Sequence, residues 1–178
     1  IRRKLHIDIR ACVIGHVGRF HPQKNHGFLI DIFYEFLKHH PESILLLVGD
    51  GSGRAAIRRK INRLGISSHV CFTGSRGDVF VFPSHYEGLG ISIVEAQAAG
   101  LPCLISDTIP AECIVTKHLV ARYDLKKTPD AWAEKITSLL HLPRKDRTDE
   151  IRQAGYDLAQ AAEKLETFYA EAKRRTRS

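Results

Sequence analysis

"VFVFPSHYEGLGISIVEAQAAGLPCLIS", residues 79–106, contains a whole strand–loop–helix–strand unit. The aromatic and β-branched run 79–84 is interrupted by Pro83, as a strand reaching its end would be. Residues 91–99 are apolar and small enough for a buried helix, and Gly100 closes it. "PCLIS" (102–106) then reads as a second strand. Two strands joined through a helix pair in parallel. Between the first strand and the helix, the loop places Glu87 among glycines, while Glu95 lies inside the helix itself. A carboxylate in a glycine-rich loop is free to face a crevice, and Gly88 and Gly90 let backbone N–H groups approach a ligand closely.

The same alternation extends in both directions. "ACVIGHVG" (11–18) predicts a strand, and 25–40 a helix with apolar residues at 28, 29, 32, 33, 36 and 37. "SILLLVGDG" (43–51) predicts a strand buried on both faces. Helix 53–65, strands 69–74 and 79–84, a weaker strand at 118–125, and helices at 130–141, 146–155 and 157–174 complete the pattern. The predicted fold is α/β, a Rossmann-like parallel sheet with helices on both faces. In such a sheet ligands bind beyond the C-terminal strand ends, where the loops 18–24, 49–53, 74–78, 84–90 and 106–112 fall. One junction breaks the rule: only "SRGD" separates strand 69–74 from strand 79–84. Either this pair is antiparallel or a crossover segment is missing, and the strict alternation elsewhere favours the second.

With 178 residues, 43% of them hydrophobic, the chain is one domain with room for a real core. No apolar run approaches the length of a membrane span. The chain contains no methionine, so a piece of a longer protein is expected. A net charge of +7 predicts anionic partners. Cys12, Cys71, Cys103 and Cys113 form no C-x-x-C pair and read as reduced thiols. The basic stretches 58–63 and 172–178 read as a solvated helix face and tail, with an anionic membrane surface as the second reading. No aromatic platform accompanies them, so nucleic acid is not expected.

"GHVGRFHPQKNHG" (15–27) brings a strand end, Gly18, Arg19 and Lys24 to the start of a helix. Helix N-termini attract phosphate, and two fixed cations add to that pull. Solvated cations in a surface loop would look the same. His16, His21, His26 and His85 lie in or near the crevice loops, yet no two share a helix at ligand spacing; hydrogen-bonded or exposed histidines are expected and no metal.

Taken together, "VGRFHPQKNH", "LLLVGDG", "VCFTG" and the stretch from Val79 to Pro110 resemble the C-terminal, nucleotide-sugar-binding half of GT-B retaining glycosyltransferases, most of all the group that builds exopolysaccharide and capsule in bacteria. Glu87 and Glu95 form the E-x7-E element of that group. The resemblance implies donor-binding roles for Gly18, Arg19, Lys24, Thr73, Gly74, Ser75, Arg76, Glu87, Gly88, Leu89, Gly90 and Glu95. Arg19 and Lys24 would neutralise the diphosphate, Glu87 would contact the transferred sugar, Glu95 the ribose hydroxyls, and Thr73–Arg76 the base; Arg19, Lys24 and Glu87 would carry the catalysis. It implies a nucleotide-sugar donor, with a UDP-sugar foremost, no cofactor and no metal. The acceptor would be a sugar or a lipid-linked chain, bound through an N-terminal domain towards which helix 157–174 would pack. The chain alone would then bind donor without transferring it, in the cytoplasm or at the inner face of the membrane. A nucleotide- or phosphate-binding regulatory module is the competing expectation.

Overall fold

The structure is a computed structural model that describes residues 7–8, 11–72 and 77–175. The predicted strand over 69–74 and the base-lining loop Thr73–Arg76 fall in part or whole outside the described residues. Among the described residues, six strands and six α-helices follow in the order β1 (Val13–Val17), α1 (His26–His39), β2 (Ile44–Val48), α2 (Arg54–Arg63), β3 (Val70–Cys71), β4 (Val79–Phe82), α3 (Ile91–Ala98), β5 (Cys103–Ser106), β6 (Val120–Tyr123), α4 (Pro129–Leu139), α5 (Thr148–Gln153) and α6 (Leu158–Arg175). The strands form one sheet in the order β3-β2-β1-β4-β5-β6. Every pair is parallel, which agrees with the parallel α/β expectation.

Side-chain alternation along the strands separates two cores. Ile14, Leu45, Leu47, Val79, Val81 and Leu104 meet the apolar stripes of α1, α2 and α4 on one face. Phe80, Phe82, Cys103 and Ile105 meet Ile93, Val94 and Ala96 of α3 and Ile151 of α5 on the other. Trp132 is fully buried in the first core. Its indole N–H donates to the Asp124 carbonyl at 3.1 Å, and its ring meets Phe28 and Tyr123 edge-on at 5.8 and 5.5 Å. Thr128 starts α4 by accepting a hydrogen bond from the Ala131 N–H, ahead of Pro129 in the first turn.

The β3–β4 junction is not an antiparallel pair. The two strands are not neighbours, because β2 and β1 stand between them. Crossing three strand spacings covers about 14 Å, and the seven residues 72–78 reach about 24 Å when extended. Of this link, residues 73–76 lie outside the described residues. It is fastened to β1 by two hydrogen bonds, Asp78 N–H to the Val13 carbonyl at 2.6 Å and Val13 N–H to the Asp78 carboxylate at 2.8 Å. No described residue of the link is helical. Residues of β1 and β2 line a cleft, described below.

Replacing Trp132 by alanine is expected to cost about 3–5 kcal/mol, through the lost burial and the cavity left behind. Chemical denaturation followed by circular dichroism measures this, since Trp132 is the sole tryptophan and its fluorescence is lost with it.

Candidate functional site

The site forms where β1 and β4, adjacent and parallel, deliver their loops to the same edge. After Val17 the chain passes through Gly18 and Arg19 into a single 3-10 turn, Pro22–Lys24, and Asn25 then adopts a left-handed conformation (φ 53°) before α1 begins. Lys24 was expected at the start of the helix; it ends the 3-10 turn instead, because Asn25 reverses the backbone between the two. That reversal turns Lys24 towards the β4–α3 loop. Its ammonium donates to both carboxylate oxygens of Glu87, each at 2.8 Å, and lies 4.7 Å from the centre of the Phe82 ring. The Lys24 side chain is 17% exposed and that of Glu87 8%. Two further bonds stitch the loops: His85 N–H to the Gln23 carbonyl at 2.9 Å, and the Gln23 amide to the Tyr86 carbonyl at 2.8 Å.

Glycine is required at two places here. A Cβ on Gly49, whose φ is +144°, would stand 2.1 Å from the Gly18 carbonyl oxygen, so the β2 loop can press against the β1 loop only without a side chain. Gly90 caps α3 in a left-handed conformation (φ 74°), and no side chain caps that helix end. Glu87 thus lies in the loop and Glu95 within α3, as the sequence predicts. Leu89 and Gly88 are exposed on the same loop, beside exposed Tyr86 and Ile91. Arg19 is also exposed and stands outside the Lys24–Glu87 pair.

Glu95 does not touch Glu87. It is exposed and lies on the rim of a cleft of about 310 Å³ whose lining includes Gly15, Val17 and His16 of β1, Leu46 and Val48 of β2, Gly77 and α3. Among the described residues, α3 borders this part of the sheet and no helix lies across the β1 and β2 side of the cleft. A parallel sheet ordinarily has both faces covered, so an apolar cleft with a carboxylate on its rim is an unusual exposure.

Sequence reasoning missed what lies beneath Lys24. His16, counted among the loop histidines, is fully buried at the end of β1. Its Nδ1 donates to the Val81 carbonyl at 2.9 Å, and its ring stacks on Phe82 at 5.1 Å. The His26 ring meets it edge-on at 4.7 Å. Burial, followed by the mutual repulsion with His26, pushes the His16 pKa down to about 3. Burial and the Lys24 charge push His26 down to about 4. Both rings are therefore neutral at ordinary pH. The available signal was a histidine placed between apolar residues inside a strand. Among the described residues, no group of three or more His, Cys, Asp or Glu side chains is arranged to hold a metal ion, and all four cysteines are free thiols. Of the basic run on α2, Arg58 and Arg59 are exposed as expected, whereas Lys60 is tied to Asp31 at 2.6 Å.

Residues 1–158 match the family of glycosyl transferases group 1. The chain belongs to that family. It is 37% identical over 169 residues to the glycosyltransferase EpsF of Bacillus subtilis, covering 88% of this chain and 44% of EpsF. Among solved structures it superposes on sucrose-phosphate synthase from Thermosynechococcus elongatus with a TM-score of 0.74 at 21% identity, covering 98% of this chain and 48% of that one. It superposes on HepE of Anabaena, solved in complex with UDP and glucose, with a TM-score of 0.65 at 23% identity, covering 90% and 45%. The fold is the Rossmann-like one of GT-B glycosyltransferases, and the chain spans about half the length of these relatives.

A histidine held neutral by burial loses stability to acid: the unfolded chain takes up a proton as pH falls below about 6.5, and the folded chain does so only near its lowered pKa. Stability is therefore fully present above pH 6.5 and declines as pH falls towards the His16 value of about 3. His16→Phe is expected to flatten that decline by an amount on the order of a few kcal/mol by pH 4. Urea denaturation at a series of pH values checks it.

Proposed function

We propose that this chain binds a nucleotide-diphosphate sugar across the β1, β4 and α3 ends and, with a further domain, transfers the sugar with retention of anomeric configuration to a growing polysaccharide or lipid-linked acceptor. The observation that carries the reading is the convergence of one cation and two carboxylates on a single edge. Lys24 and Glu87 sit together at the loops, and Glu95 stands within α3, the next element, on the rim of an apolar cleft. The uncapped start of α3 and the cationic side chains of Arg19 and Lys24 suit a diphosphate. A carboxylate such as Glu95 suits ribose hydroxyls, which can only donate to it, and the cleft over Val17 and Val48 suits the nucleoside.

Charge neutralisation by Arg19 and Lys24 would stabilise the departing diphosphate, and Glu87 would orient the sugar. That HepE was solved with UDP and glucose supports a UDP-sugar donor. The likeness to EpsF, and to the Vi polysaccharide biosynthesis protein VipC/TviE of Salmonella typhi, supports exopolysaccharide or capsule assembly. A nucleotide-binding module without transfer chemistry would use Glu87 only to hold Lys24 and the two loops, and would give it no part at the sugar. The α6 helix leaves Leu158, Leu165, Phe168 and Tyr169 exposed, an apolar stripe suited to packing against that further domain. No helix among the described residues is long and apolar enough to cross a membrane. On this reading the 178-residue chain binds donor and does not turn it over.

Titration calorimetry of the chain with UDP, GDP and ADP tests the reading. One of the three is expected to bind, and Arg19→Ala and Glu95→Ala are each expected to weaken it about tenfold or more. Binding that ignores both substitutions would overturn the residue roles.

A further inference from the structure

The two side chains to which the proposed reading gives opposite ends of the donor, Lys24 at the diphosphate and Glu87 at the sugar, are bound to each other. Lys24 spends two of its three N–H donors on Glu87, and both side chains are largely withdrawn from water. A diphosphate that draws on Lys24 therefore does so next to a carboxylate that loses part of its partner. Resting on that reading, we propose that Glu87 discriminates by charge between an intact nucleotide-sugar and the free nucleoside diphosphate, weakening the hold on the second relative to the first.

The two ligands differ in two respects at this point. The terminal phosphate of a free diphosphate takes on a further negative charge above pH about 6, whereas the bridging diphosphate of a nucleotide-sugar has no such ionisation. The sugar also carries hydroxyl groups, and hydroxyls donate hydrogen bonds to a carboxylate. A nucleotide-sugar thus replaces the donors that Glu87 gives up when Lys24 turns to phosphate. A free diphosphate replaces none and places a second anion beside the first. Two anions sharing one ammonium in a partly desolvated site repel strongly. After transfer, the same repulsion would help the spent nucleotide to leave.

The surroundings of Glu87 allow this effect to be isolated. Lys24 of the β1–α1 loop is bound to Glu87, His16 of β1 and His26 of α1 interact with Lys24, and Cys113 of the 3-10 turn Ala111–Cys113 interacts with Glu87, Glu112 and Arg122; Arg19 and His85 lie on the same two loops as the pair, and Glu95 lies on α3. His16 and His26 stay neutral across the neutral range because of their burial. Burial likewise raises the Cys113 pKa and keeps its thiol neutral there. The remaining groups are common to a chain with or without the Glu87 charge, so a ratio of affinities removes them.

The test is calorimetry of the chain and of Glu87→Gln with UDP, GDP and ADP, and with the glucose conjugate of each, at pH 5.5 and pH 7.5. Circular dichroism checks the fold, and Glu87→Asp, which keeps the charge, guards against a purely structural effect. At pH 7.5, Glu87→Gln is expected to bind the free diphosphate about tenfold more tightly than the wild-type chain. That ratio should shrink towards one at pH 5.5. The conjugate should show no such rise, and Glu87→Asp should behave as the wild-type chain does. A ratio near one at both pH values overturns the proposal. An equal rise at both pH values would mean that Glu87 acts only by occupying Lys24, which also overturns discrimination by charge. If neither chain binds any diphosphate or conjugate, the donor-site reading itself fails and takes the proposal with it.

Discussion

The contact on which the site depends is the ion pair between Lys24 and Glu87, residues 63 apart in sequence. It exists only because β1 and β4 are parallel neighbours in register, Ile14 beside Val79 and Gly15 beside Phe80, so that their following loops emerge side by side. The pair in turn fixes those loops, together with the bonds from Gln23 to Tyr86 and from His85 to Gln23. Withdrawing two charges from water is costly, and their attraction offsets that cost only when the geometry is good. Two contacts of 2.8 Å to one ammonium, with the Phe82 face close by, meet that condition.

Beneath the pair, the protein has to keep other charge away. His16 and His26 accomplish this by being buried and neutral. The hydrogen bond from His16 Nδ1 to the Val81 carbonyl fixes the tautomer and ties the end of β1 to β4. Gly18 belongs to the same arrangement: a Cβ there would stand 3.1 Å from His16 Nε2 and 3.3 Å from the Lys24 methylenes. The loop thus comes close enough to hold Lys24 over Phe82 because it carries no side chain at that point. The geometry of the loop residues at the surface therefore rests on packing below it.

Much of the architecture was legible because the hydrophobic pattern is so regular. Continuous apolar strands alternating with amphipathic helices admit little besides a parallel sheet, and glycines marked the ends of helices where the structure has them, at Gly65 and Gly100. Glu87 in a loop and Glu95 on a helix were readable from the glycines around the first. Other features depend on contacts distant in sequence. Strand order is one: nothing local says that β4 lies beside β1 and three places from β3. The turn at Pro22–Lys24 is another, since asparagine in a left-handed conformation is uncommon and local pattern favoured an earlier helix start. The His16–His26 couple was hidden because histidine is ambivalent about burial, and only the packing of Phe82 and Phe20 around it settles the matter. The cleft lined by Gly15, Val17, Leu46 and Val48 is a third, since it depends on which helices pack on which face of the sheet.

The most direct test of the account is a double-mutant cycle on folding stability with Lys24→Met, Glu87→Gln and the two combined. If the pair organises the site, each single change leaves a desolvated charge without its partner and costs about 2–4 kcal/mol, while the double change recovers most of that loss. A coupling above about 1 kcal/mol would support the account. Losses that simply add, or that stay within about 0.5 kcal/mol, would show that the two loops hold their geometry without the pair, and the account of the site would be wrong.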